Sequence, residues 1–196
     1  MGAGILPTTI YKNKLYFLFG KENKYEDSAP GFSDFGGGTD NQETYMETAI
    51  REGCEELTGF LGSEEDVKKM LERNGTYNID NKTPSGSIYR IHIFPIEYDH
   101  KLPFYYNNNQ RFLQKRLDPD VIQKSKIFEK EEIRWISVDE IKKMKPQFRF
   151  FLKPVIDRIY KQREDIKKFI MKGLTDTRTN LKKRTTHNRT QKKKRL

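Results

Sequence analysis

The 196-residue sequence predicts an α/β fold, because strand-like segments alternate with amphipathic helical ones and turn residues punctuate the change of period. Three observations carry this expectation: an opening pair of apolar strands, a glycine-rich stretch leading into a helix with one acidic and one apolar side, and two later strand-like runs.

The opening strands are Ile5-Leu6 through Ile10-Tyr11 and Leu15 to Phe19, joined by the turn Lys12-Asn13-Lys14 into a hairpin. A polar loop, Lys21 to Pro30, leads to Phe32-Ser33-Asp34-Phe35 and the triplet Gly36-Gly37-Gly38. Glu43 to about Thr58 has helical periodicity, with Asp40 as N-cap and Glu43 completing a capping box, and Gly59 and Gly62 as stops. Ser63 caps a second short helix that runs to about Arg73. Ser87 to Tyr98 reads as a strand through Ile88, Tyr89, Ile91, Ile93, Phe94 and Ile96. Lys101 to Lys130 is interrupted by Asn107-Asn108-Asn109 and Asp118-Pro119, so an irregular insertion is expected there. Ile133 to Ile136 is a strand, Ser137 opens a short helix through Met144, and Phe148 to about Ile170 reads as a longer helix that Pro154 kinks or starts. Periodicity ends at Gly173, which predicts one domain over 1–172 and a basic, disordered tail over 173–196.

Net charge is +10, but from Met171 onward ten Lys and Arg face only Asp176, so the basic character belongs to the tail and the rest is nearly neutral. Such a tail suits a solvated end, a nuclear import signal or a nucleic-acid contact. Cys54 is the single cysteine, which excludes an intrachain disulfide and a multi-thiolate zinc site; His92, His100 and His187 lack zinc-ligand spacing. Met1 to Pro7 has no secretory character, and no run approaches the roughly 20 apolar residues of a membrane span. The expectation is an intracellular protein, cytoplasmic or nuclear, with no membrane partner. The abundance of Lys, Asn, Ile and Tyr suits an AT-rich genome, viral or protist. No oligomer interface is readable.

Chemistry concentrates between Gly37 and Gly59: Gly37, five residues, Glu43, seven residues, Arg51-Glu52, then Glu55-Glu56. This stretch resembles the signature of the Nudix hydrolases, G-x5-E-x7-R-E-U-x-E-E-x-G-U with U bulky and apolar. Six residue types in register coincide by chance on the order of once in ten million starts. Two departures stand out: Gly53 occupies the first U position, which should weaken helix packing, and Leu57-Thr58 replace a single residue before Gly59. The resemblance extends from about Gly4 to Asp139, through the Asp34-Phe35-Gly36-Gly37 segment and the late Ile-Arg-Trp strand. It implies an α/β/α sandwich with a mixed β-sheet, and hydrolysis of the pyrophosphate linkage in a nucleoside diphosphate-X substrate.

Projected at 100° per residue, Glu55 and Glu56 fall within about 60° of Glu52, whereas Met46, Ala49, Ile50, Gly53, Cys54 and Leu57 form an apolar stripe. Three like charges on one face call for a compensating cation, and Mg²⁺ or Mn²⁺, hard ions that also bind phosphates, fit that need. The resemblance implies Glu52, Glu55 and Glu56 as metal ligands, with Gly37 or Gly38 offering a carbonyl and Glu43 bracing the loop. It implies Arg51 as the group holding the carboxylates, and makes Glu131, with Glu129 and Glu132, a candidate general base. Capped or 5′-phosphorylated RNA, ADP-ribose, dinucleoside polyphosphates and NTPs are the candidate substrates. The alternative is an inactive Nudix-fold module that binds nucleotide or RNA.

Plainer readings apply elsewhere. Cys54 on the apolar stripe reads as a small buried residue. His92 reads as structural, and Trp135 and the phenylalanines as core. Tyr77 is one tyrosine of ten, and carries little weight as a nucleotide-selecting residue.

Overall fold

The computed structural model describes residues 1–24, 30–40, 42–83, 86–125 and 129–193, with side chains through residue 177 and at 179. Part of the polar loop expected over 21–30, and most side chains of the expected tail, lie outside the described residues.

β1 (Gly2–Tyr11) and β2 (Lys14–Glu22) form the predicted hairpin, closed by Lys12 and Asn13 at φ 46° and 62°. Consecutive positive φ values match the right-handed twist of the flanking strands. β3 (Phe32–Ser33) and β4 (Phe35–Gly38) are short. β5 (Tyr77–Lys82) and β6 (Ile88–Pro95) pair antiparallel, and β7 (Lys130–Ser137) pairs with β2. The main path through the sheet is β3-β2-β1-β6-β5, with β4 on β1 and β7 on β2. Only β1 and β6 run parallel among these pairs, so the sheet is mixed.

β1 changes partner along its length. Thr8 to Tyr11 pair with β2, whereas Gly2 to Ile5 pair with β4. β2 likewise turns to β3 at Gly20 and Lys21. The strands on either side of this divergence supply the buried polar side chains described below.

Alternation along the strands builds a core on each face. Ile5 and Leu18 pack with α1 (Tyr45–Glu56), α2 (Glu64–Asn74) and Tyr106 of α3 (Lys101–Arg116). Leu6, Phe17 and Phe19 pack on the other side with α5 (Val138–Ile141), α6 (Lys153–Lys161) and α7 (Arg163–Lys193). The architecture is the expected α/β/α sandwich.

Several elements differ from the sequence reading. The N-cap of α1 is Thr44, whose box partner is Glu47, because Glu43 is drawn away to Arg51. β5 went unread because its YNIDNK sequence has few apolar residues, only Ile79 entering the core. The supposed insertion is α3 followed by α4 (Pro119–Lys124), with Asp118-Pro119 acting as cap and first turn rather than break. Asn107, read as a breaker, donates to Ile133 O and accepts from Ile133 N, covering the edge of β7. The long C-terminal helix is two, α6 and α7, separated at Gln162, with Pro154 in the first turn of α6. α7 crosses the boundary placed at Gly173: Leu174 is buried in the core and Thr177 bonds Asn74, while the backbone stays helical to Lys193. Among the described residues no helix is long and apolar enough to cross a membrane.

Candidate active site

α1 meets β1 through a glycine. A Cβ on Gly53 would lie 2.4 Å from Ile5 Cδ1, so the residue that departs from the bulky signature position is what lets this helix approach the sheet. That approach, expected to be weakened by Gly53, instead depends on it. Close packing sets the carboxylates of α1 against β4: a Cβ on Gly37 would lie 2.6 Å from the Glu52 carboxylate, and Gly36 N donates to Glu56 Oε2 at 2.9 Å.

Arg51 organises the outer half of the site. Its Nε donates to Glu43 Oε1 at 2.8 Å, and Nη1 to Glu52 Oε1 at 2.8 Å and Glu55 Oε2 at 3.5 Å. Nη2 donates to Glu43 Oε2 and to the Gly38 carbonyl, both at 3.1 Å. The planar fork thereby ties the glycine strand, the loop and the helix together. Arg51 beside Glu43, with Thr48 Oγ1 also donating, holds the Glu43 carboxyl down to about 2. Those carboxylates in turn raise the Arg51 guanidinium above its ordinary value.

Glu56 belongs to a different environment. Its side chain is 4% exposed, against 14% for Glu52 and 42% for Glu55, and Oε1 lies 2.9 Å from Lys130 Nζ. Lys130, fully buried, also bonds Glu22 and reaches Ser33 Oγ at 2.8 Å; Arg149 Nη1 reaches Glu22 Oε1 at 2.8 Å. Asp34 lies beside this cluster and accepts from Tyr89 Oη at 3.0 Å. Burial pushes the Glu56 carboxyl up, Glu22 adds to the rise, and Lys130 opposes it. Burial likewise raises Asp34 to about 6, against Lys130 and the Tyr89 hydroxyl. Tyr106 Oη seals the floor by donating to the Glu56 carbonyl at 2.7 Å.

The three glutamates that share a face on the helical wheel therefore do not converge on one cation. Charge compensation comes from Arg51 for Glu43, Glu52 and Glu55, and from Lys130 for Glu56 and Glu22. Among the described residues no group of three or more His, Cys, Asp or Glu could hold a metal ion. The donor set left at the surface, Glu52 and Glu55 beside the Gly38 carbonyl, is all hard oxygen. It matches the way Mg²⁺ is held, by one or two carboxylates with waters and phosphate completing the shell.

Glu131 is placed elsewhere. It is the extra residue of a bulge between β2 and β7, where Glu22 faces Lys130 and Lys21 faces Glu132, and its carboxylate is 2.6 Å from Lys21 Nζ. Glu131 and Glu132 line a surface hollow with Asn107, Arg111 and Gln114. Cys54 is half-buried, with its thiol pushed up to about 11, which suits a packing residue. His92 is buried and held neutral, at about 4.

Sequence reasoning missed Glu22, Lys130 and Arg149. Lys130 stands in the run Glu129-Lys130-Glu131-Glu132, which reads as a solvated charge stretch. Nothing local marks it as the buried one.

No family model matches the chain, and no curated protein matches it in sequence. Solved structures of similar fold include the Nudix hydrolase RenU from M. smegmatis, at 14% identity, covering 84% of this chain and 86% of that one with a TM-score of 0.49. The NUDIX domain of Shewanella oneidensis NrtR, solved with ADP ribose, aligns at 12% identity over 82% of this chain and 86% of its own, TM-score 0.44. A C. elegans Ap4A hydrolase binary complex aligns at 13% identity over 89% and 98%, TM-score 0.43. With a mixed sheet between two helical layers, and the in-register glycine, glutamate and arginine spacing carried by β4 and α1, this chain has the Nudix fold.

Proposed function

We propose that this chain hydrolyses the pyrophosphate linkage of a nucleoside diphosphate-X substrate with Mg²⁺ or Mn²⁺ at the Glu52 and Glu55 end of α1. The observation that carries the reading is the Arg51 fork, which fixes Glu43, Glu52, Glu55 and the Gly38 carbonyl in one arrangement of oxygens. A divalent ion bound there supplies electrophilic stabilisation of the phosphates and lowers the pKa of a bound water. Glu52 and Glu55 bind and orient on the solvent side. Glu56, bonded to Gly36 N and Lys130, positions β4 against α1.

A basic tail adds affinity for a polyanion, so capped or 5′-phosphorylated RNA stands first among the substrates, with ADP-ribose, dinucleoside polyphosphates and NTPs after it. The test incubates purified protein and Glu52→Gln with Mg²⁺ and each of these compounds. Release of product that Glu52→Gln reduces by two orders of magnitude or more supports the reading; equal rates in both proteins, or none from any compound, overturn it.

One observation favours a second reading, a Nudix-fold module that binds nucleotide without turnover. Lys130 supplies at Glu56 the positive charge that a metal supplies in the three-glutamate arrangement inferred from sequence. Binding of RNA or nucleotide without product release would identify that case.

A further inference from the structure

A cavity of about 420 Å³ opens on the side of β4 away from α1. Gly36, Gly37 and Gly38 line it together with Tyr89, Phe151 and Arg149, and Thr83 and Ser87 stand at its rim. That volume lies within the range of sites for small organic ligands. The glycines keep it open: a Cβ on Gly36 would fall 2.5 Å from Tyr89 Oη, and one on Gly2 would fall 2.8 Å from the Tyr89 ring.

Two further features point to the ligand. Tyr89 and Phe151 pack edge to face, with centroids 5.6 Å apart at 64°, and the Arg149 guanidinium stands 5.0 Å from the Phe151 centroid. Aromatic faces beside a guanidinium form a surface on which a nucleobase stacks. Arg149 spends Nη1 on Glu22, and its buried Nε–H has no acceptor among the described residues. A buried donor without a partner is a cost that an acceptor on a ligand removes.

The cavity also adjoins the glutamate site. Gly37 lines it on one side and abuts the Glu52 carboxylate on the other, so a ligand with its ring in the cavity can pass its phosphates across Gly38 toward Glu52 and Glu55. We infer that this cavity receives the planar aromatic base of a nucleotide, stacked at Phe151. The inference rests on the proposed nucleotide chemistry but concerns binding, not turnover.

The experiment compares two non-hydrolysable probes by calorimetry in Mg²⁺ buffer: α,β-methylene-ADP and methylenediphosphonate, the same anion without its nucleoside. Three proteins are used: the full chain, Phe151→Ala, and Ser87→Trp, which fills the rim without removing a wall. Both variants are expected to bind α,β-methylene-ADP roughly tenfold more weakly, the loss of one stacked base, while methylenediphosphonate binding stays unchanged. Unchanged nucleotide affinity in both variants overturns the inference. So does a parallel loss for both probes, which would place the effect in the phosphate site. If the selective loss is seen while no compound is hydrolysed, the catalytic reading fails and the base site stands.

Discussion

Lys130 Nζ lies 2.9 Å from Glu56 Oε1 with no solvent access to either group, and the same ammonium bonds Glu22 and Ser33. Two buried carboxylates depend on one lysine. Lys130→Met fills nearly the same volume but leaves Glu22 to Arg149 alone and Glu56 without a cation, so unfolding in urea should show a loss of about 3–5 kcal/mol. Adding Glu56→Gln to Lys130→Met should recover part of that loss. A double mutant no more stable than Lys130→Met would show that the two side chains are not coupled.

Gly37 and Gly38 are neighbours with opposite expectations. A methyl at Gly37 would meet the Glu52 carboxylate at 2.6 Å, whereas one at Gly38 meets nothing within 4 Å. Because the atoms struck are the far end of a flexible side chain, Gly37→Ala should cost under about 1 kcal/mol of stability. It should still displace Glu52 from Arg51 and reduce turnover by about a hundredfold, the effect of a displacement near 1 Å. Gly38→Ala should retain wild-type rates. Steady-state kinetics and thermal melts on the pair decide the matter.

Asp34 makes stability depend on pH with a defined sign. Its folded pKa, about 6, lies above the ordinary 3.8, so between these values the native state holds a proton that the unfolded chain releases. The stability it contributes is present below pH 4 and is lost as pH rises through 6, by up to about 3 kcal/mol. Asp34→Asn cannot titrate, so its stability relative to wild type should rise steadily from pH 4 to pH 6.5. A flat difference in urea midpoints across that range would refute the assignment.

The place where the folded domain ends can be read by truncation. A chain stopped after Lys172 loses the buried Leu174 and the bond between Thr177 and Asn74, and should be destabilised by about 2–3 kcal/mol. A chain stopped after Thr179 keeps both and should melt with the full chain. If RNA is bound through the basic segment, this second truncation should also flatten the dependence of affinity on salt.

Elements with strong periodicity or a clear cap were legible in the sequence. The hairpin followed from Leu15 to Phe19 and its turn, and α2 from Ser63. The signature helix followed from spacing that also put Ala49 and Ile50 in the core. What stayed hidden depended on distant partners. β5 is mostly polar and is a strand because β6 pairs with it along its whole length. α3 contains three consecutive asparagines, tolerated because Tyr106 is buried and Asn107 is bonded to β7. At the site, spacing placed Glu52, Glu55 and Glu56 together, but their separation into an Arg51 half and a Lys130 half rests on a residue 74 positions beyond Glu56.

The two-sided pairing of β1 bears on how the chain is made. This strand leaves the ribosome first, yet Gly2 to Thr8 find their parallel partner only in Tyr89 to Pro95. Until those residues emerge, an apolar segment is held with one edge open, and the closing loop is nearly half the chain. Pairing of that separation is slow, and it leaves the early intermediate prone to self-association. Synthesis at a reduced temperature, or with a chaperone that shields nascent strands, should therefore raise the soluble yield more than any change to the basic C-terminal segment.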